Sequence, residues 1–423
     1  MFDRSIVERR LELDPGWRRR RRLAAFERFS QLEPPSEREE LWRYVELDFS
    51  LGDFELPEGP GRPIETDAVA AALAPVASIR VVDGFGADAR AEVEGLVVGA
   101  LAAHDGTTPS PERAVERAGI EPDDHFAAAH EAFTVDGAFI HAARGTRVPG
   151  PVYVDVQLTG SGIAAFPAVV LHAEPSTELP VVVHLRSPDG EYGFAAPHVV
   201  VLAEDGAVVS LTILQEWGSE VRAVGRVRFA ADRDAVVRFT EVGLGGRYAR
   251  VRLDGDLVGP GAEADVVGAY FGENHQVLDY RYHMRHAAPH TRSDMFLKGA
   301  VEDEASSVFT GLIRIEEEGQ KTEAFQTNRN LILSKGASAQ SVPNLEILAN
   351  DVKCGHGSTV GPLDEEQRYY LMSRGLSAAQ ADRLQIRGFF EEAIARMPHH
   401  ALAPIVRERL NRKFVEAQEE GRL

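Results

Sequence analysis

The sequence predicts a mainly β protein: a β-solenoid core flanked by an N-terminal and a C-terminal helical domain. Three observations predict it. Helical periodicity nearly vanishes over residues 141–360, where short runs of Val, Ile, Leu, Phe and Tyr alternate with Gly, Asp and Pro turns. That stretch is about twice what an ordinary β-sandwich uses. Small residues after polar turns recur about every 30 positions, at Ala207, Ala235, Ala264, Ala305 and Ala337. Such spacing suits stacked coils, none of which can bury its apolar face alone. A large sandwich with recurring turn chemistry is the alternative.

Residues 1–140 read as the mostly helical N-terminal domain. Arg18 to Phe29 places Leu23, Ala24, Phe26 and Phe29 at helical spacing, and Pro34-Pro35 breaks it. Ser36 with Glu39 is a capping-box pattern that opens a short helix through Leu41 and Trp42. The run Arg18–Arg22 reads as a solvated helix face paired with surrounding acids, in preference to a nucleic-acid patch. Residues 57–67 are a Pro- and Gly-rich linker. Ser110-Pro111 opens a helix near Glu112–Glu116, and Phe126–Phe133 reads as another.

Residues 141–360 are the core, with strands exemplified by 151–156, 179–185, 199–202 and 224–229. Residues 361–423 turn helical again. Asp364 with Gln367 and Ser377 with Gln380 are capping boxes, and Gly375 suits a position just past a helix end. Ala381, Leu384, Ile386, Phe389, Phe390, Ala393 and Ile394 make Ala378–Arg396 amphipathic; Pro398 ends it, and Leu402–Glu419 supplies another helix. This module would cap the open end of the solenoid, dock a partner, or do both.

Composition excludes several functions. The 423 residues carry 46 Lys plus Arg against 66 Asp plus Glu, a net charge of −20, which argues against nucleic-acid binding. The single cysteine excludes an internal disulfide and any self-contained multi-cysteine zinc or iron–sulfur site. None of the five lysines follows a glycine, so there is no P-loop. Gly243-Leu244-Gly245-Gly246 lies between strands with no helix after it, so it is not a dinucleotide fingerprint. The first residues lack an apolar signal region, and no run approaches the ~18 apolar residues of a membrane helix, so the expected compartment is cytoplasmic with no membrane contact.

The densest polar stretch is Asn350–Thr359. Cys354 and His356 within it are soft and borderline ligands for iron, copper or zinc, and two residues apart they face the same side of a strand. A lone cysteine is more often a small buried apolar residue. A Cys–His nucleophile pair would lack an identifiable orienting residue. His283, His286 and His290 lie in strand and turn, where they would not converge on a metal. The acid pairs, such as Asp303-Glu304, read as solvated turns.

Three segments together resemble a known family. They are Gly319-Gln320-Lys321-Thr322-Glu323-Ala324-Phe325-Gln326-Thr327-Asn328-Arg329-Asn330-Leu331, Pro343-Asn344-Leu345-Glu346-Ile347 and Asp351-Val352-Lys353-Cys354-Gly355-His356-Gly357. They resemble the SufB/SufD family of iron–sulfur cluster assembly proteins. Gly361, Leu363-Asp364-Glu365, Tyr370-Leu371 and Ser373-Arg374-Gly375 are similar to its SufD branch, and His286-Ala287-Ala288-Pro289-His290-Thr291-Arg292-Ser293 resembles the family's His-x-x-Pro-x-Thr-x-Ser segment. The likeness is specific from about 280 to 395, and Gly355 stands where the family usually has Ser.

The resemblance implies a right-handed parallel β-helix with helical flanks, and a scaffold in place of an enzyme. It implies pairing with SufB, docking of the SufC ATPase on the C-terminal helices, and sulfur entering SufB from a cysteine desulfurase. A transient Fe–S cluster would be shared with SufB, using His356 with Cys354 beside it, and this chain alone would hold no cofactor. A reduced flavin is associated with such complexes, and isolated chains can self-pair as homodimers. A carbohydrate-active β-helix enzyme of polysaccharide-lyase type is the rival reading. It would be secreted, and a net charge of −20 would repel a polyuronate.

Overall fold

The computed structural model describes residues 2–12, 14–65, 67–104 and 109–419. Thr66 of the linker and residues 420–423 of the C-terminal domain lie outside them. The chain opens with α1 (Arg4–Leu11), α2 (Gly16–Phe29) and α3 (Ala68–Leu73), then β1 (Ala77–Val82), β2 (Phe85–Ala91) and β3 (Leu96–Ala100). Helices α4 (Glu112–Ala118) and α5 (His125–Phe133) follow. Seventeen of the strands after β3 are counted here as β4 (Gly137–Ala142), β5 (Val152–Gln157), β6 (Ile163–Ala165), β7 (Ala168–Ala173), β8 (Glu178–Arg186), β9 (Gly193–Ala195) and β10 (His198–Ala203); β11 (Val208–Glu216), β12 (Val221–Ala231), β13 (Val236–Gly243), β14 (Tyr248–Leu257) and β15 (Glu263–Gly272); and β16 (Val277–His286), β17 (Arg292–Val301), β18 (Ser306–Ile315), β19 (Glu323–Ile332) and β20 (Ser338–Ile347). The last strand, β21 (Lys353–Gly361), leads into α6 (Glu365–Ser373), α7 (Ala378–Arg396) and α8 (Ala403–Glu419).

The strands form two facing sheets. One runs β2-β1-β5-β8-β11-β13-β15-β17-β19-β21; the other runs β20-β18-β16-β14-β12-β10-β7-β4-β3 with β6 and β9 at its side. From β11 onward successive strands alternate between the sheets and every lateral pairing is parallel. This is the expected β-solenoid. Register partners along the first sheet are Val208, Val236, Glu263, Arg292, Glu323 and Lys353, so each coil takes 28, 27, 29, 31 and 30 residues in turn.

The period is therefore as the sequence suggested, but the alanine series is two series. Ala207 and Ala235 immediately precede strands of the first sheet, Ala264 lies inside one, and Ala305 and Ala337 precede strands of the second. Each sits where the chain turns into the solenoid, and the small side chain lets the corner close against the core. Asp234, Asn274 and Asp303, with φ of 55°, 55° and 56°, supply left-handed turn residues, a conformation Asn and Asp tolerate.

Within the N-terminal region β1 and β2 form a hairpin and β3 pairs antiparallel with β4, closing that end of the solenoid. The signal was local. Asp83 and Gly84 have φ of 52° and 92° between the paired residues Val82 and Phe85, as a two-residue turn requires. The helices α4 and α5 fall where expected. The arginine run is paired with acids as expected, but only Arg19 and Arg20 of it are exposed. Arg22 is buried, bonding both carboxylate oxygens of Asp14 at 2.5 and 3.1 Å and the carbonyls of Ala132 and Thr134 at 2.8 and 2.9 Å. Arg18 is buried 3.8 Å from Asp14, and Arg21 pairs with Glu131 at 2.9 Å. Packing of α2 on α5 and the solenoid turned that face inward.

The helices cover the outer faces. Phe126, Phe133, Phe166, Phe194 and Tyr248 form one apolar layer between the N-terminal segment and the second sheet. On the first sheet, Ile386, Phe390, Ile394, Val406 and Phe414 of α7 and α8 pack on Val242, Val267, Phe271 and Phe296. The C-terminal helices thus lie along the flank of the solenoid and leave its last coil uncovered, against the expectation of an end cap. Of the two C-terminal capping boxes, Ser377 with Gln380 forms reciprocally, while Asp364 accepts from the amides of Glu366 and Gln367 but Gln367 returns its side chain to the Asp364 carboxylate, not to its amide. No helix among the described residues is long and apolar enough to cross a membrane.

Candidate functional site

Side chains inside the solenoid stack in columns set by register. One column runs Val152, Val181, Leu211, Phe239, Val266, Met295, Gln326, His356. Its neighbour runs Leu179, Val209, Val237, Ala264, Ser293, Ala324, Cys354. Both begin aliphatic and buried, admit one polar residue each at Gln326 and Ser293, and end on β21 in ligand-type residues. The period of two puts Cys354 and His356 on the same inward face, as their spacing predicted.

That face is open, because β20 and β21 are the final strands of their sheets and each has an unpaired edge. Cys354 is half-buried against the core and His356 is exposed. Between the sheets the Ser358 hydroxyl meets that of Ser341 at 2.8 Å. Partial burial without a cation pushes the Cys354 thiol up. It is a protonated thiol at neutral pH, one that a metal would have to deprotonate on binding.

The segment 319–331 is the floor beneath this strand. Lys321 ion-pairs with Asp351, the Asp351 amide donates to Gln320 at 3.1 Å, and Lys353 pairs with Glu323 at 2.6 Å. Gln326, directly under His356, is buried and donates from Nε2 to the Asn344 carbonyl at 2.9 Å, crossing from one sheet to the other. Its Oε1 has no partner and fills the space a Gly311 side chain would take. Gly355 faces outward; a Cβ there would lie 3.5 Å from the Phe325 ring, an ordinary contact, so the departure from Ser changes little.

The three-histidine segment does not assemble a metal site. His286 is buried, hydrogen-bonded to Thr291 at 2.8 Å and Ser293 at 2.9 Å, and Thr291 meets Thr322 of the next coil at 2.8 Å. These residues brace a corner, and burial lowers the His286 pKa to about 4. His283 faces Asp254 at 3.4 Å, and His290 occupies a turn with φ of 59°.

One grouping escaped sequence reasoning. Asp67, Asp155 and His184 bring ligand atoms within 4.8 Å of one another. It is saturated by protein. Arg186 bonds both Asp155 oxygens at 2.8 Å, Tyr153 donates to Asp67 at 2.5 Å and meets His184 at 2.8 Å, and His184 meets Glu216 at 2.9 Å. It ties α3 to the first sheet. No spacing signal marks it, since its members come from separate coils. Among the described residues no three-ligand grouping includes Cys354 or His356, so the pair on β21 offers at most two ligands.

Residues 156–389 match the family model described as the SUF system FeS cluster assembly, SufBD core domain. A SufBD-family iron–sulfur cluster assembly protein of Mycobacterium tuberculosis is 35% identical over 300 residues, covering 69% of this chain and 73% of that protein. The Bacillus subtilis assembly protein SufD is 29% identical over 294 residues, 66% of this chain and 65% of that one. The Escherichia coli SufD is 33% identical over 171 residues, 40% of each. With the matched core spanning the solenoid coils and the strand that bears Cys354 and His356, this chain belongs to the SufBD family of iron–sulfur cluster assembly proteins.

Proposed function

We propose that this chain is a non-catalytic scaffold subunit, of SufD type, that supplies one half of a cluster-assembly site and takes the other half from a SufB-type partner. The observation that carries the reading is the open last coil. Its two edge strands have unpaired backbone groups, its inward face holds Cys354 and His356, and apolar Phe325, Ile347, Leu348 and Val360 are exposed around it. An uncovered strand edge is a template for another chain, and two ligands leave the coordination of an iron centre incomplete. His356 would ligate the nascent cluster directly, and Cys354 would stand beside it. The cluster is cargo here, not a resident cofactor.

A second surface suits the energy-supplying subunit. Tyr369, Tyr370 and Met372 on α6 and Leu384 on α7 are exposed, on the side of the helices turned away from the solenoid. We assign this face to the SufC-type ATPase, which this chain needs because it has no P-loop of its own. Co-expression with SufB- and SufC-type chains tests both assignments. The expected result is a stable complex that retains iron and sulfide, and loss of the ATPase alone in a Tyr370→Asp variant. Recovery of this chain by itself, or as a homodimer only, would overturn the pairing.

A further inference from the structure

The outer face of the first sheet carries a lysine where an apolar residue would serve the packing. Lys298 on β17 is buried beneath α7, between the outward-facing Phe296 and Ala300. Its ammonium donates to the Phe389 carbonyl at 2.7 Å, pairs with the Glu392 carboxylate at 2.7 Å, and lies 4.6 Å from the centre of the Phe389 ring. Burying an ammonium is costly unless it is fully partnered, and a helix docked by hydrocarbon alone needs none. Glu392 also reaches Arg396 on its own helix at 3.6 Å and, across to β19, Arg329 at 4.0 Å. Lys298 and Arg329 are register partners, and Arg329 is in turn the register partner of Thr359 on β21. One turn on, Arg396 stacks over Phe296 at 3.8 Å and pairs with Asp294 at 3.3 Å. One carboxylate on α7 therefore engages two successive strands, and the next strand in the row is the one that bears Cys354 and His356.

We propose that Glu392, with Lys298 and Arg329, is a latch that transmits displacement of α7 to β19 and through it to β21. These are positioning residues: none touches Cys354 or His356, and they act by setting the strand that bears them. The functional use of the latch rests on the reading that the C-terminal helices receive an ATPase, whose movement would then reach the cluster site.

The test is hydrogen exchange on the isolated full chain, which needs no partner. Lys298→Met preserves volume and Glu392→Gln preserves shape. Each is expected to speed exchange of amides in Lys353–Gly361 by about tenfold or more, the scale of one charged hydrogen bond, with β13 and β15 unchanged. The double variant should go no further than either single one, because all three groups form one unit. Faster exchange confined to α7, an unchanged β21, or a uniform rise across the solenoid would each overturn the latch. In the co-expressed complex, the variants should retain the ATPase at the wild-type ratio and lose any nucleotide-dependent change at β21. Absence of the ATPase from the wild-type preparation would instead refute the docking reading, and the isolated-chain result would stand apart from it.

Discussion

His356 and Cys354 face inward because β21 continues columns that begin with Val152 and Leu179, and a one-residue slip would turn both outward. Their pairing was legible in the sequence, since a spacing of two needs only a strand. What they stand on was not. Gln326 lies 30 residues away and meets His356 only through the coil length. His356 is exposed and without a strong partner, so His356→Ala should change stability by no more than about 0.5 kcal/mol, measured by denaturant unfolding. Cys354 should alkylate more slowly at pH 7 than a free cysteine, with the rate climbing as pH rises through its elevated pKa. A fast reaction at neutral pH would show a cation near the sulfur that the structure lacks.

Inside the solenoid, Glu241 is buried on β13 in the next inward column, after Ile213 on β11, with Tyr282 donating to it at 3.2 Å, and burial raises its pKa to about 8. The folded state therefore holds a proton that the unfolded chain releases near its usual value, and stability falls as pH rises from about 4.5 to 8. Glu241→Gln should flatten that slope and stabilise the chain above pH 8 by up to about 4 kcal/mol. An unchanged slope would place the effect elsewhere. On the acid side His130 and His286, both held near 4 by burial, lose stability as pH falls from 6.5 toward 4.

At the scale of elements, helix α7 illustrates what a sequence can and cannot show. Its start at Ser377, its end before Pro398 and its apolar positions were readable, because caps and periodicity are local. The surface it packs on was not, since Phe271 and Phe296 come from coils over 90 residues upstream in the chain. Burial of Phe390 against them predicts that Phe390→Ala costs about 3–5 kcal/mol by equilibrium unfolding. The hairpin of β1 and β2 shows the opposite case. Its Asp83-Gly84 turn was local and visible, but the helical segments around it masked a short strand pair. The buried Arg22 shows a third: charge alone reads as surface until Asp14 and two carbonyls are brought to it.

For the whole molecule, the single cysteine, the missing P-loop and the open coil all fit the proposed division of labour between subunits. The solenoid is closed at one end by antiparallel strands and covered along both flanks by helices, which leaves the edges of its last coil unpaired among the described residues. The alanine spacing gave the coil length because each corner recurs once per coil; it could not give the two-sheet alternation, which depends on which face each strand joins. The central claim, that this chain contributes half of a shared cluster site, is tested most directly by cluster yield. In the complex co-expressed with SufB- and SufC-type chains, His356→Ala should lower bound iron and sulfide at least about tenfold, the lower end of the range for losing a group that supports a metal site, while all three chains still co-purify. An intact complex with unchanged iron and sulfide would contradict the account.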